Sequence, residues 1–133
     1  MLIGEIVRKS GLSKDGIRHY EALGLLHSRP VQAGSRTYRD YDDTTFERLA
    51  LIALAKRLHF SLKELAEPLD LILSDKVTRE DRAARLAEKL AEIDAKIADL
   101  QAAREELVAI VARPDKDYVD ARLKELGLWI EGA

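Results

Sequence analysis

A stretch without proline or glycine, from residue 78 to residue 112, constrains the fold of this 133-residue chain more than any other feature. Within it a set of residues, apolar with one exception, recurs at alternating intervals of four and three, which is the heptad spacing of a coiled coil. At 1.5 Å per residue a helix of this length would span about 50 Å. We therefore predict a long helix that pairs through a seam formed by Leu86, Leu90, Ile93, Ile97, Leu100, Arg104, Leu107 and Val111.

Arg104 is the polar member of this seam. A buried polar residue lowers the stability of a coiled coil, but it can fix the register or the orientation of the paired helices. The alternative is that Arg104 marks the point where the seam gives way to contacts with the C-terminal segment.

The first 24 residues contain two short apolar segments at helical spacing, each followed by a glycine. Gly11 follows the first segment and Gly24 the second, and glycine readily takes the left-handed conformation found just beyond a helix C-terminus. Ser13 is a candidate N-cap for the second segment. Two short helices joined by a tight turn form a helix-turn-helix, whose second helix enters the major groove of DNA.

The segment that follows has the turn residues and the alternation of a β-hairpin. Pro30 lies near its start, Gly34 and Ser35 form a turn pair, and side chains alternate in character from residue 36 to 39. We predict two short strands that form a wing beside the helix-turn-helix, with Tyr41 packed in the core.

A third helix is predicted to begin near residues 42–44 and to end at 57–59. Thr44 and Glu47 have the spacing of a capping box, and the two aspartates before Thr44 compete as the cap. The residues predicted on its buried side are Phe46, Leu49, Ile52 and Ala53.

A fourth helix is predicted to open at a second capping box, formed by Ser61 and Glu64. Pro68 lies too far from Ser61 to be a first-turn proline of that helix. It should therefore kink the helix, or break it near Glu67 and begin a second short piece. The predicted buried positions are Leu62, Leu65 and Leu69.

The C-terminal segment should form one more short helix after the long one ends at Arg113 and Pro114. This helix stops before Gly127, and an apolar tail follows at residues 128–130. Its predicted apolar residues are Tyr118, Val119, Leu123 and Leu126.

Together these elements predict a mainly α chain with a winged helix-turn-helix head, a small β-hairpin wing, a long coiled-coil dimerisation helix and a short C-terminal helix. We place the DNA-binding domain at residues 1–75 and the dimerisation helix at 76–113. Residues 114–133 are then an effector-binding or packing segment.

Charge is distributed unevenly along the chain, although the whole carries a net charge of only −2. Residues 1–41 hold seven Lys and Arg against four Asp and Glu, whereas residues 42–133 hold fifteen against twenty. A basic head on an acidic body is compatible with phosphate binding at one end.

Several classes of function are excluded or disfavoured. The chain has no cysteine, which rules out disulfides, thiolate metal sites and thiol-based redox sensing. It shows no signal-peptide pattern and no long uncharged apolar run, so we expect a cytoplasmic protein without a membrane partner. No nucleophile elbow, phosphate-cradling loop or paired catalytic carboxylates stand out, so we do not expect an enzyme, and no cofactor is predicted.

Three motifs, IRHYEALGLL, SRTYRDY and RLHFSLKEL, resemble the MerR family of transcription regulators in content, order and separation. The resemblance covers residues 1–73, and the long helix fits the family's antiparallel dimerisation coil in position and length. Residues 114–133 show no such resemblance. Three departures from the family pattern are Gly16, His59, which stands where a left-handed glycine is usual, and Pro68.

The resemblance and the residue chemistry together indicate a DNA-contact set on the second helix and the hairpin. Basic side chains and hydroxyls can donate to phosphates or base edges, and a helix N-terminus can hold a phosphate. The alternatives are capping and solvation for Ser13 and Lys14, and core packing for Tyr20. The predicted contact residues are Ser13, Lys14, Arg18, His19, Tyr20, Arg36, Tyr38 and Arg39.

The resemblance implies a homodimer on a pseudo-palindromic promoter, where effector binding distorts a spacer that is too long for RNA polymerase. The family's metal sensors use cysteines, so we expect an effector response by other chemistry, and we predict no metal site from His19, His27 and His59. Core packing is the first interpretation of Tyr118 and Trp129, and contact with a small organic effector is the alternative.

Two other functions stay open at this point. The chain could be an architectural protein that bends DNA without any effector. It could also be an interaction scaffold whose working part is the coil, with the head only as a packing module.

Overall fold

The computed structural model describes residues 1–73 and 75–132 of the chain. In these ranges it confirms the predicted fold class, a mainly α chain with a two-stranded antiparallel hairpin and one long helix. The chain divides into two compact units, which are residues 1–83 and residues 84–133. The elements are α1 (Ile3–Ser10), α2 (Lys14–Ala22), β1 (Ser28–Ala33), β2 (Arg36–Tyr41), α3 (Thr45–Arg57), a 3₁₀ turn (Leu62–Glu64), α4 (Ala66–Leu73), α5 (Arg79–Ala112) and α6 (Lys116–Glu125).

The helix-turn-helix is formed by α1 and α2, with the predicted end signals in place. Gly11 takes a left-handed conformation, φ 74°, and its N–H donates to the Val7 carbonyl at 3.0 Å. The Ser13 hydroxyl accepts from the Gly16 N–H at 3.0 Å and so caps α2. Gly24 is also left-handed after α2, as expected.

The hairpin has the predicted two-residue turn. Ala33 pairs with Arg36, and the turn between them contains Gly34 at φ 63°. Because successive strand residues point to opposite faces, Arg36 and Tyr38 lie on one face of β2 and Arg39 lies on the other with Tyr41.

The core of the first unit draws on every helix of the head. Tyr41 belongs to it, as predicted, and is only 2% exposed. Residues from all four helices contribute to it, together with strand β2, the segment before β1 and the residue that precedes α4. Its buried apolar residues are Ile6, Ile17, Tyr20, Leu25, Leu26, Tyr41, Leu49, Ile52, Leu65 and Leu69.

Helix α3 departs from the prediction at its start and on its buried side. The Thr44 side chain makes no cap hydrogen bond, so the predicted Thr44–Glu47 capping box is wrong. The Thr44 hydroxyl instead accepts from Arg48 Nε at 2.9 Å. Ala53, predicted on the buried side, is exposed, because the buried stripe is centred about one residue earlier and consists of Thr45, Arg48, Leu49 and Ile52.

The segment around Pro68 shows how the chain accommodates this proline. The Ser61–Glu64 capping box forms as predicted, but it opens a 3₁₀ turn instead of an α-helix. Helix α4 begins at Ala66, two residues before Pro68, so the proline lies in the first turn, where no intrahelical N–H bond is lost. The break therefore comes at Leu65 rather than near Glu67. His59 is left-handed, φ 64°, as the resemblance predicted.

The second unit contains most of α5 and all of α6. Asp115 caps α6 by accepting from the Tyr118 N–H at 2.9 Å, and Gly127 is left-handed at φ 70° beyond its end. Leu126, predicted on the apolar face of α6, is exposed, whereas Tyr118, Val119 and Leu123 are half-buried. In the described ranges, no helix is both long and apolar enough to cross a membrane.

Candidate nucleic-acid interface

Helix α2 presents a polar face whose members come mostly from its first two turns. Ile17 and Tyr20 point into the core, so the helical period turns Lys14, Arg18 and His19 outward, and all three are exposed. Ser13 is exposed as well, although its hydroxyl already caps the helix. All four of these predicted contact residues are therefore exposed, and Lys14 and Arg18 lie one turn apart on the same side of the helix.

Tyr20 differs from these four because its ring is buried, only 8% exposed. Its hydroxyl lies 3.4 Å from Lys56 Nζ, which can donate to it. Core packing thus accounts for the ring, and only the hydroxyl end is placed near a cation. Sequence reasoning missed Lys56. The pattern that could have indicated it is the adjacent basic pair Lys56 and Arg57 at the end of α3.

The three contact residues predicted on the hairpin lie on two different faces of β2. Arg36 and Tyr38 are exposed on the same face of β2. Arg39 lies on the opposite face, where its Nε is 3.7 Å from Glu21 Oε1. Because successive residues of a strand point to opposite faces, Arg39 cannot share a surface with Arg36 and Tyr38.

Glu21, in the last turn of α2, connects that helix to the hairpin. Its Oε1 accepts from the Ser28 hydroxyl at 2.8 Å at the start of β1. Burial, together with the hydrogen bond to Glu21 and the charge of Glu21, raises the pKa of Tyr41 to about 12. Sequence reasoning missed Glu21, which is one of two carboxylates, with Asp15, in the α2 segment that holds the contact candidates.

A second group of polar side chains joins α3, α4 and the segment before β1. Arg48, only 6% exposed, places Nη1 2.7 Å from Asp70 Oδ1 and 3.3 Å from the Leu25 carbonyl. His27 Nε2 lies 3.1 Å from the same Asp70 oxygen. Partial burial acts to raise the pKa of Asp70, but the hydrogen bonds and charges of His27 and Arg48 outweigh it and lower that pKa. No local sequence pattern predicts this group.

In the second unit, α6 and the end of α5 border an open groove of about 540 Å³. Tyr118 lines it, and the Arg113 guanidinium lies 4.9 Å from the centre of the Tyr118 ring. Trp129 is not among the lining residues, and the Lys124 ammonium lies 5.2 Å from its ring centre. The two aromatic residues predicted for an effector therefore do not share this groove. The residues that line it are Glu106, Ala109, Arg113, Asp117, Tyr118, Ala121, Arg122 and Glu125.

The sequence holds no cysteine. Across residues 1–73 and 75–132, no group of three or more histidine and acidic side chains is arranged to hold a metal ion.

Family models match most of the chain. One, described as MerR HTH family regulatory protein, matches residues 1–72, which contain α1 to α4 except the last residue of α4. The other, described as MerR, DNA binding, matches residues 46–110, from α3 into α5.

Individual relatives each cover more of the chain than either family model does alone. It is 32% identical to the HTH-type transcriptional regulator CueR of Salmonella typhimurium over 121 residues, which are 90% of this chain and 86% of that protein. It is 34% identical to the uncharacterized HTH-type transcriptional regulator PA4778 of Pseudomonas aeruginosa over 118 residues, with 89% and 88% covered. It is 35% identical to heavy metal-dependent transcription regulator 2 of Rhizobium meliloti over 101 residues, with 76% and 67% covered. The chain therefore belongs to the MerR family, whose members are DNA-binding transcriptional regulators and not enzymes.

Proposed function

We propose that this regulator binds a pseudo-palindromic promoter site as a homodimer, with α2 and the hairpin of each head on the DNA. The observation that carries the proposal is the set of exposed polar side chains on α2 and the hairpin, which are Lys14, Arg18 and His19 on α2 and Arg36 and Tyr38 on β2. Cations on a helix that can enter the major groove supply both phosphate contacts and base contacts. Promoter DNA as the partner implies a cytoplasmic location.

Dimerisation is supported by the seam of α5. Its eight positions fall within about 100° of the helix circumference, and six of its apolar side chains are between 48% and 76% exposed. An apolar stripe of this length is stable in water only when another helix covers it. A second copy offers the same stripe, and the family resemblance makes the pairing antiparallel. We accordingly assign DNA binding to residues 1–75, dimerisation to 76–113, and effector binding or packing to 114–133.

The dimer fixes the distance between two heads that grip the same duplex. A small change in its geometry then becomes a change in the twist or bend of the central base pairs, which no side chain needs to contact. Such a change alters how RNA polymerase engages the two elements of the same promoter.

The test of DNA binding is footprinting and fluorescence anisotropy on the promoter beside the gene. We expect protection of a two-fold site between the promoter elements. The double variant Arg18→Ala, Arg36→Ala should lose about 1–3 kcal/mol of specific binding for each base contact removed. A matched control, Arg85→Ala with Lys116→Ala, removes two exposed cations from α5 and α6 and should bind like the wild type. Equal binding by both double variants would contradict the proposed surface.

The effector is proposed to be a small organic molecule that contacts Tyr118 in the groove beside α6. One relative is named as heavy metal-dependent, but this chain has no thiolate with which to bind such a metal. Addition of Cu⁺, Zn²⁺ or Hg²⁺ should therefore leave the melting temperature and promoter output unchanged. If transcription from the purified system responds to no small molecule in a screen, the architectural alternative of DNA bending without an effector is favoured.

A further inference from the structure

We propose that Glu21 is a positioning residue for DNA recognition, which holds the hairpin against α2 and restrains Arg39 so that the protein distinguishes its operator from other DNA. This inference rests on the proposed function, since it assumes that α2 and the hairpin bind one duplex together.

Two contacts reach the Glu21 carboxylate, one from each strand of the hairpin. Ser28, at the start of β1, donates its hydroxyl to Oε1 at 2.8 Å. Arg39, in the middle of β2, places Nε 3.7 Å from the same oxygen. Glu21 also acts on Tyr41 at the end of β2, whose pKa it helps to raise. The Glu21 side chain is only 21% exposed. The last turn of α2 is thus tied to β1 and β2 through one carboxylate.

A carboxylate in this position acts against simple electrostatic attraction to DNA. Lys14 and Arg18 project from the same helix, and each phosphate that a cation neutralises strengthens binding to any sequence. Glu21 reduces the positive potential of that surface and partly neutralises Arg39. Glu21 instead fixes the position of the hairpin relative to α2. This matters because the side chains of the helix and of the hairpin must reach their sites on the DNA at the same time.

The decisive variant is Glu21→Gln, which removes the charge but keeps an amide oxygen that can accept from Ser28. Anisotropy is measured with an operator duplex and a scrambled duplex over a range of salt concentrations. We expect the salt slope on the scrambled duplex to steepen by about 0.9, the value for one added phosphate contact, as Arg39 is released. The ratio of operator affinity to scrambled affinity should fall about tenfold, comparable to one mismatched base pair.

Adding Arg39→Ala to Glu21→Gln should restore the wild-type slope without restoring the ratio. The control is Glu5→Gln, which removes the same charge from α1, where Glu5 pairs with Lys9 at 3.1 Å. It should leave the ratio unchanged. Ser28→Ala keeps the charge and removes the 2.8 Å hydrogen bond, so it should lower the ratio without changing the slope, even if Glu21→Gln does not fold.

The outcomes separate this inference from the proposed function. If the wild type prefers its operator but Glu21→Gln and Ser28→Ala both keep the wild-type ratio, Glu21 has no positioning role and the proposed function stands. If the wild type itself shows no preference between the duplexes, the proposed function fails, and the inference fails with it.

Discussion

Arg122 on α6 and Glu106 on α5 form a two-point ion pair, with Nε 2.6 Å from Oε1 and Nη2 2.9 Å from Oε2. The hydrogen bonds that Arg122 donates lower the pKa of Glu106, and donating to the Glu106 and Glu125 carboxylates raises the pKa of Arg122. This paired geometry fastens the C-terminal helix to the end of the long helix, in the segment proposed to receive an effector.

The first prediction concerns the sensitivity of the Arg122–Glu106 ion pair to acid. Because the folded state lowers the pKa of Glu106, its contribution is fully present above the ordinary value of 4.5 and is lost as the pH falls through the lowered value. Trp129, the only tryptophan, should report the release of α6 as a fluorescence change at acid pH. Arg122→Gln should shift that change toward neutral pH, whereas Lys116→Gln, on the same helix, should leave its midpoint in place. Identical midpoints for both variants would exclude a role for the ion pair.

The second prediction concerns the buried guanidinium of Arg48. Asp70→Ala leaves that cation without its carboxylate partner, and we expect the free energy of unfolding to fall toward the lower end of about 1–3 kcal/mol, because Asp70 is half exposed. Since the pKa of Asp70 is lowered, the loss should appear above the ordinary value of 3.8 and disappear in stronger acid. Urea unfolding at several pH values measures this. Asp43→Ala, an exposed residue at the start of α3, is the control, and an equal loss there would contradict the assignment.

The helix ends and the seam of the long helix could be predicted from sequence because a few neighbouring residues determine each of them. The Gly11 terminator, the Ser13 cap and the Ser61–Glu64 capping box each lie within one turn of the backbone they satisfy. The seam of α5 is also local, since its spacing alone defines the stripe. The winged helix-turn-helix followed from the order of such signals and from the three family motifs.

The contacts that sequence reasoning missed join residues far apart along the chain. Glu21 meets Arg39, and Arg48 meets Asp70, only after the helices and the hairpin have packed. No local pattern fixes which carboxylate a given arginine will approach. The face of Arg39 was nevertheless implied, because Tyr41 was assigned to the core and residues two apart on a strand share a face.

The error at Ala53 has a different origin. Helix α3 carries apolar residues around most of its circumference, including exposed Leu54 and half-buried Leu51. The phase of its buried face is therefore poorly defined by hydrophobicity, and the tertiary contacts of Arg48 and Ile52 decide it.

The third prediction concerns the left-handed backbone at His59, φ 64°. A residue with a Cβ is strained in this region, so His59→Gly should stabilise the fold by about 0.5–1 kcal/mol, after the added freedom of glycine in the unfolded chain is included. His59→Val should destabilise it, because a β-branched residue fits this region worst. Urea unfolding midpoints give the order, and a glycine variant less stable than the valine variant would show that the side chain itself is needed.

The fourth prediction concerns alkaline pH. Burial and Glu21 raise the pKa of Tyr41 to about 12, against 10.0 for an ordinary tyrosine. Its contribution to stability is thus present below pH 10 and is lost as the pH rises toward 12, by up to about 2 kcal/mol. Tyr41→Phe should unfold with a flatter dependence on pH in this range. Tyr38→Phe, exposed on the hairpin, should keep the wild-type dependence.

The last prediction tests the seam by placing one charge on either side of the long helix. Leu100 is 69% exposed in the single chain and lies in the middle of the apolar stripe, so a glutamate there would replace an apolar contact of the dimer with a carboxylate that must be taken out of water. Leu100→Glu should sediment as a monomer at concentrations where the wild type is a dimer. Ala95→Glu adds the same charge on the opposite side of α5 and should remain dimeric. Because only the paired helices hold two heads at a fixed separation, Leu100→Glu should also lose protection of the two-fold site while it keeps weak binding to a half-site. A monomeric Ala95→Glu, or a dimeric Leu100→Glu, would place the interface on another face of the helix.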